Sequence, residues 1–448
     1  MFLPRVMGHW AAFLLSGSLL SAAETARFNL SEKPTAPRFP LTDKKWPQKV
    51  GEVDLCLWHD DKLAALSLGV DDNFAGEIDW WKEQAALYDF KVTWFVITGR
   101  ILKEGRSQGG LWSQFQDLEN LGHAVESHTV THLHVEDPGW GTPEWSLEKA
   151  NQARGAALKA GREAAILAGT LKPEDGAPSV PAKPAASSEE TAEGGMAARP
   201  SAESLTAARL AAADKPVTDP AVGVDWEYAQ SIAQIESNLP GKKVSALAYP
   251  GGKNTVYNDR KIAAKHFRVA RGATGAPNMA NQTDYISTNA LSNWNFDSTQ
   301  GGNPYNVLDP ARYNGRYYRG WIILFAHGVS ANPDLFKKTF EFIKENRENL
   351  WVGLYSDVAK YGQERDTASL KVESAGPEKI TFLLTDEMDD SYFNFPLTVK
   401  VRIPDEWKDV GATQADKPVT AKLLEHEGAA YALVQAVPDA GLVTVVKK

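Results

Sequence analysis

At 448 residues the chain is long enough for a full-sized catalytic domain with a smaller one beside it, since single domains usually run to about 100–200 residues. Its 43% hydrophobic and 23% charged residues read as a globular chain, and a formal net charge of −9 argues against a partner held through nucleic-acid phosphates. The single cysteine, Cys56, excludes an intramolecular disulfide, and no activating neighbour accompanies it, so thiol chemistry is set aside too.

The chain opens with Arg5, an apolar run from Trp10 to Leu20 and the small residues Ser21-Ala22-Ala23, the layout of a cleaved export signal over residues 1–23. That run is shorter than the roughly 20 residues of a spanning helix, and no later segment is long and apolar enough for one. The expectation is an exported chain, periplasmic or extracellular, without a transmembrane segment once mature. Residues 24–50 carry Pro34, Pro37, Pro40 and Pro47 among polar residues, an extended lead-in.

Asp54 to His59 and Leu63 to Val70 read as two strands joined by a hairpin-like turn, with Asp60 and Asp61 as turn formers. Strands and helices then alternate: a helix over 76–89, a strand from Val92 to Ile97, a helix over 112–121 and a strand from His123 to Ser127. A helix over 225–238 follows, then a strand from Val244 to Tyr249, a helix over 258–265 and a strand from Phe267 to Ala270. The rhythm closes with a strand from Trp321 to Phe325, a helix over 333–346 and a strand from Trp351 to Tyr355. Such alternation implies parallel strands buried on both faces, in a barrel or a doubly wound sheet.

An Ala-rich helix over 146–169 leads into residues 171–222, which are rich in Ala, Pro, Glu and Ser and lack the large apolar residues of a core. They read as a flexible insert in one domain rather than a linker between two, because chemical residues on both sides belong to one site. From residue 366 onward the pattern changes to alternating runs such as Ile380–Leu384, Leu397–Ile403 and Ala430–Val434, the mark of a small all-β, sandwich-like domain. A catalytic domain is thus expected over 51–365, interrupted by 171–222, with the β domain over 366–448.

Four short stretches follow or end apolar runs: Gly69-Val70-Asp71-Asp72, Ser127-His128-Thr129-Val130-Thr131-His132, Tyr249-Pro250-Gly251-Gly252 and Phe325-Ala326-His327-Gly328. A water-activating divalent cation takes two or three imidazole or carboxylate ligands and keeps a position open, and Asp72, His128 and His132 form such a set. The β-branched residues between the histidines favour a turn leaving a strand over a helix. Adjacent Asp residues can equally cap the helix that starts near Gly76.

Two neighbouring carboxylates at a strand end point different ways, which allows Asp72 as ligand and Asp71 as general base. His327 is placed to protonate a leaving group, or is a buried histidine bonded to backbone. A backbone amide of Gly251 or Gly252 is a candidate donor to an oxyanion, unless these glycines only turn the chain. Two imidazoles and a carboxylate suit zinc, with cobalt, nickel and manganese as the other candidates. His59, His123, His134 and His266 belong to no constellation. Trp112, Trp140, Trp145 and Trp294 could stack on sugars, although anchoring a loop to the core is the commoner role.

Taken in this order, the stretches resemble the first, second, third and fifth motifs of the polysaccharide deacetylases of carbohydrate esterase family four, which include chitin and peptidoglycan deacetylases. The resemblance spans roughly Val53 to Tyr361 without the insert. It implies a distorted (β/α) barrel with its site at the C-terminal ends of the strands. It also implies Asp71 as base, Asp72, His128 and His132 as metal ligands, and His327 as acid. The implied reaction is hydrolysis of acetyl groups from an N-acetylated polysaccharide or oligosaccharide, releasing acetate.

The third motif departs from the family: Ala248 stands where many members have Arg, and Gly251 replaces an aromatic residue. Arg271, after the next strand, is a candidate replacement partner for Asp71, or a structural arginine. Asn293 to Asp297, with Trp294, is a weak counterpart of the fourth motif. Two other readings remain open: an O-acetyl esterase acting on a xylan-like glycan, and a catalytically silent glycan-binding protein with a structural metal.

Overall fold

The computed structural model describes residues 30–133, 143–168, 216–252, 260–292, 302–329 and 333–448. The expected export signal, most of the insert, His134, Trp140 and the stretch around Trp294 lie outside them. Among the described residues no helix is long and apolar enough to cross a membrane.

In chain order the first part consists of β1 (Val53–Leu55), β2 (Ala64–Val70), α1 (Ile78–Tyr88), β3 (Val92–Val96), α2 (Trp112–Asn120) and β4 (Ala124–Ser127). Helices α3 (Pro143–Leu167) and α4 (Pro220–Asn238) flank the insert. Next come β5 (Ala246–Ala248), α5 (Arg260–His266), β6 (Val269–Arg271), β7 (Trp321–Ala326), α6 (Pro333–Glu345), β8 (Leu350–Val352) and α7 (Tyr355–Thr367). Residues 220–222, expected in the insert, form the first turn of α4, which Asp219 caps by accepting the Ala221 amide at 3.0 Å. Tyr355 does not end a strand as expected; it opens α7, a helix absent from the sequence reading.

The parallel sheet runs β6-β5-β4-β3-β2-β7, with β8 pairing the first half of β2. Its edges are joined through an irregular segment. Thr288 exchanges backbone bonds with β6, to Ala270 and from Gly272, both 2.9 Å, and Leu291 exchanges bonds with β7, to Ile323 and from Phe325, also both 2.9 Å. The sheet thereby curls into the expected distorted (β/α) barrel.

The period of two along each strand sorts its residues between two packings. Leu66, Leu68, Val70, Trp94, Ile322 and Leu324 face outward in the layer shared with the helices. Ala65, Phe95, Ala248, Val269, Ile323 and Phe325 face inward. At the N-terminal end α7 closes the barrel: the Tyr355 amide donates to Thr93 Oγ1 at 3.0 Å and its hydroxyl bonds Thr288 Oγ1 at 2.8 Å.

The C-terminal strands are β9 (Ser369–Ala375), β10 (Lys379–Thr385), β11 (Leu397–Arg402), β12 (Val410–Gln414), β13 (Lys417–Val419), β14 (Ala421–His426), β15 (Ala429–Ala436) and β16 (Val443–Lys447). They form two antiparallel sheets, β1-β11-β15-β14 and β13-β12-β16-β10-β9. β1 is therefore not the hairpin partner of β2 but a strand of the sandwich, in register with β11 from Val53 opposite Val401 to Leu55 opposite Val399. The turn after it is as expected: Asp60 and Asp61 both have φ above 50°.

Asp61 bonds the buried Lys400 ammonium at 2.8 Å, tying that turn to β11. The lead-in crosses both units, with the Arg38 amide bonded to Asn281 at 2.7 Å and Trp46 stacked on His426 at 3.7 Å. One apolar cluster runs from the barrel interior through α7 into the sandwich, so the two units share a core. Cys56 is buried as well, and burial pushes its thiol far above the ordinary range.

Candidate active site

The inward-facing parity continues past the strand ends. Asp71 follows Ala65 and Gly69 of β2 in step, His128 follows Ala124 and Glu126 of β4, Arg271 follows Val269 of β6, and His327 follows Ile323 and Phe325 of β7. Four separate strands thus deliver their polar groups to one place at the C-terminal mouth.

Asp72, His128 and His132 converge: Asp72 Oδ1 lies 3.5 Å from His128 Nε2 and 3.6 Å from His132 Nε2. Zinc bonds of about 2.0–2.1 Å at tetrahedral angles place donor atoms about 3.4 Å apart, so these separations suit a shared divalent cation. Asp72 Oδ1 is buried and has no hydrogen-bond partner among the described residues, which a bound cation would remedy. The His128 Nδ1 faces the Ala248 carbonyl at 2.8 Å and donates to it, which directs the lone pair of Nε2 at Asp72. Burial lowers the affinity of both imidazoles for protons, His132 to about 3 with His128 adding to the effect, so both rings are neutral and ready to ligate. The residues present fit the metal that the sequence implies.

The ligands sit on backbone that most residues avoid. Asp72 has φ 58°, His132 56° and the β-branched Thr129 68°, the kind of strain that persists only where surrounding bonds over-determine it. Those bonds are present. Asn73 accepts the Ile97 amide at 2.7 Å and donates to Gly109 at 2.8 Å, and Thr129 Oγ1 accepts the His132 amide at 3.0 Å.

Asp71, 2% exposed, is bonded by the Arg271 guanidinium, which lies between the rings of Phe95 and Phe325 at 4.7 and 4.3 Å. Arg271 is the register partner of Ala248 on the neighbouring strand, so a cation reaches the base from one strand over. Burial alone would raise the Asp71 carboxyl; Arg271, by its charge and its hydrogen bond, leads the effects that outweigh burial and hold the carboxyl below the ordinary carboxylate value. His327 Nε2 lies 4.0 Å from Asp71 Oδ2 with half its side chain open to solvent, so it is not the buried, backbone-bonded histidine of the competing reading.

Of the two glycines, Gly252 gives its amide to the Tyr249 carbonyl at 2.9 Å, which leaves Gly251 as the candidate oxyanion donor. A cleft of about 690 Å³ adjoins the site, lined by Asp72, Phe74, Glu77, Arg100 and Gln108.

Two further histidines are engaged elsewhere: His123 accepts the Val92 amide at 3.1 Å, and His266 pairs with Asp225 at 3.0 Å. Trp112 is core and Trp145 packs on Trp226 at 5.9 Å, both anchoring roles. The sequence reading missed Glu227, whose buried carboxylate grips the turn between His128 and His132. Its only signal was a glutamate on the apolar side of a helix.

The family model for polysaccharide deacetylases matches residues 85–163, a span that includes His128 and His132. A gellan lyase from a Bacillus species is 32% identical over 425 residues, 90% of this chain and 13% of that protein, so the chain spans a small part of its relative. Among solved structures, a Mycobacterium smegmatis protein described as a polysaccharide deacetylase aligns with TM-score 0.35 at 12% identity, covering 70% of this chain and 94% of that one. The Xyl-CE4 domain of a multidomain xylanase from the Trinervitermes trinervoides hindgut metagenome aligns with TM-score 0.31 at 12% identity, covering 65% and 87%. A Streptococcus pyogenes deacetylase aligns with TM-score 0.28 at 15% identity, covering 50% and 62%.

Proposed function

We propose that this chain, in which residues 85–163 match the family model for polysaccharide deacetylases, is a metal-dependent hydrolase removing acetyl groups from an N-acetylated polysaccharide. The observation that carries this reading is the convergence of Asp71, Asp72, His128, His132 and His327 from three strand ends, with Asp71 paired to Arg271. A divalent cation held by Asp72, His128 and His132 would supply Lewis-acid activation of water and of the acetyl carbonyl, and zinc suits that donor set.

The chain's own residues do the rest. Asp71, kept ionised by Arg271, takes a proton from the attacking water as its oxygen bonds the acetyl carbon. The Gly251 amide donates to the carbonyl oxygen as it gains charge. His327 delivers a proton to the sugar nitrogen as the C–N bond breaks, leaving acetate and a free amine. The half-open face of His327 and the adjoining cleft give a glycan access to these groups.

Acetate release from N-acetylglucosamine oligomers and peptidoglycan, measured beside acetylated xylan under equal conditions, tests the substrate class. Turnover of the N-acetylated substrates that disappears in Asp71→Ala is the expected result. Release from xylan alone would move the assignment to an O-acetyl esterase, and glycan binding without any hydrolysis would make the protein a binding module. The expected export signal supports a reaction outside the cytoplasm; secretion of the full chain with loss of residues 1–23 is the expected result, and retention of the signal inside the cell would refute it.

A further inference from the structure

Helix α4 carries Gly223, Glu227 and Ser231 four residues apart, one face of the helix. All three meet the structure around the turn that bears His132. Glu227, fully buried, accepts from the Val130 amide at 2.8 Å and the Thr131 amide at 3.1 Å through Oε2, and from the hydroxyls of Thr131 and Ser146 at 2.8 Å each through Oε1. Ser231 Oγ bonds Ser127 Oγ at 2.7 Å, and Ser127 Oγ accepts the Thr129 amide at 3.1 Å. At Gly223 a Cβ would lie 2.9 Å from the Leu147 amide nitrogen, so only glycine lets α3 approach closely enough there for Ser146 to reach Glu227.

We propose that Glu227 is a positioning residue for the metal site: its carboxylate fixes the Thr129–His132 turn so that His132 Nε2 stays beside Asp72 Oδ1. Through Ser146 it also fastens that turn to both helices that flank the insert. The physical need is plain from the backbone. Thr129 and His132 both have positive φ, and such a turn relaxes unless several bonds hold it. A carboxylate is acceptor-only with room for four donors, and four donors converge on this one.

The inference rests on Asp72, His128 and His132 being a metal site, and its test separates the two. The full chain, stripped of metal, is titrated with zinc against a chromophoric chelator, and its unfolding is followed in the metal-free state. Glu227→Ala removes the acceptor, Glu227→Asp withdraws it by one methylene, and Glu227→Gln keeps an oxygen for the two backbone amides. The expected result is a zinc Kd raised about 10–100-fold in the Ala and Asp variants and little changed in Gln, the size found when groups that orient metal ligands are removed.

A merely structural role would lower metal-free stability and leave the zinc affinity of the folded protein where it was. Wild-type affinity in Glu227→Asp, or in Glu227→Ala where it folds, therefore overturns the proposal. A wild-type chain that binds no zinc overturns the metal-site reading, and the proposal with it.

Discussion

Replacing Arg271 by methionine probes how the base is held, because the guanidinium bonds Asp71 yet belongs to no part of the metal-binding triad. Two opposite unit charges about 4 Å apart attract by about 4 kcal/mol at an effective dielectric of about 20, which corresponds to about three pKa units. Burial acts in the opposite sense, and Asp71 is 2% exposed. The carboxyl is now held below its ordinary value, so the base is ionised at neutral pH and activity is lost only as pH falls through that depressed pKa. Without the guanidinium, burial prevails, the pKa rises, and the acid limb of the kcat/KM profile moves to higher pH.

A cation at the triad retains part of the attraction, so the limb is expected to move by less than that bare pair energy would give, and still toward higher pH. Methionine suits the gap between Phe95 and Phe325, which limits the loss from packing. The assay is acetate release across the acid range at saturating zinc, with bound zinc measured in parallel. Arg271→Lys restores a charge without the planar stack, and its limb is expected between the other two. An acid limb that stays in place in Arg271→Met, with zinc fully bound, would refute the pairing argument.

Three further outcomes follow from the same geometry. His327→Ala is expected to lower kcat by about 10²–10⁴ while leaving zinc affinity unchanged, which kinetics and a chelator competition separate. Gly252→Ala sets a Cβ 2.3 Å from that of Ala273 on backbone with φ 65°, so chemical denaturation should register a loss on the order of 2 kcal/mol. Asp61→Ala takes the carboxylate from the Lys400 ammonium, 1% exposed, and leaves it the Lys45 carbonyl at 2.9 Å and the Trp46 ring, so urea unfolding should show a cost of about 3 kcal/mol.

The barrel was legible where strands are buried on both faces: β2, β3 and β7 are continuous apolar runs, and the alternation with helices announced parallel pairing. β1 was misread because its partner lies far away in sequence, at Val399 to Val401, and nothing local distinguishes a sandwich strand from half of a hairpin. Helix α7 was missed because its amphipathic signal is inverted: Gln363, Glu364, Arg365 and Asp366 are buried, with Arg365 bonded to Asp366, so polarity does not mark a solvent face.

At the site, Asp71, His128 and His327 could be found because each ends an apolar run. Arg271 could be named as a partner for Asp71 but not chosen over a structural role, since its placement opposite Ala248 depends on the register between β5 and β6. Glu227 acts through helix packing, which a lone glutamate does not advertise.

The central claim is that Asp72, His128 and His132 hold the ion on which acetyl hydrolysis depends. The most direct measurement is acetate release from N-acetylglucosamine oligomers by metal-stripped chain as zinc is added back. Release that is absent without metal, rises to a plateau at one equivalent per chain, and fails to appear in His128→Ala is the expected result. Full release that survives metal removal would contradict the account.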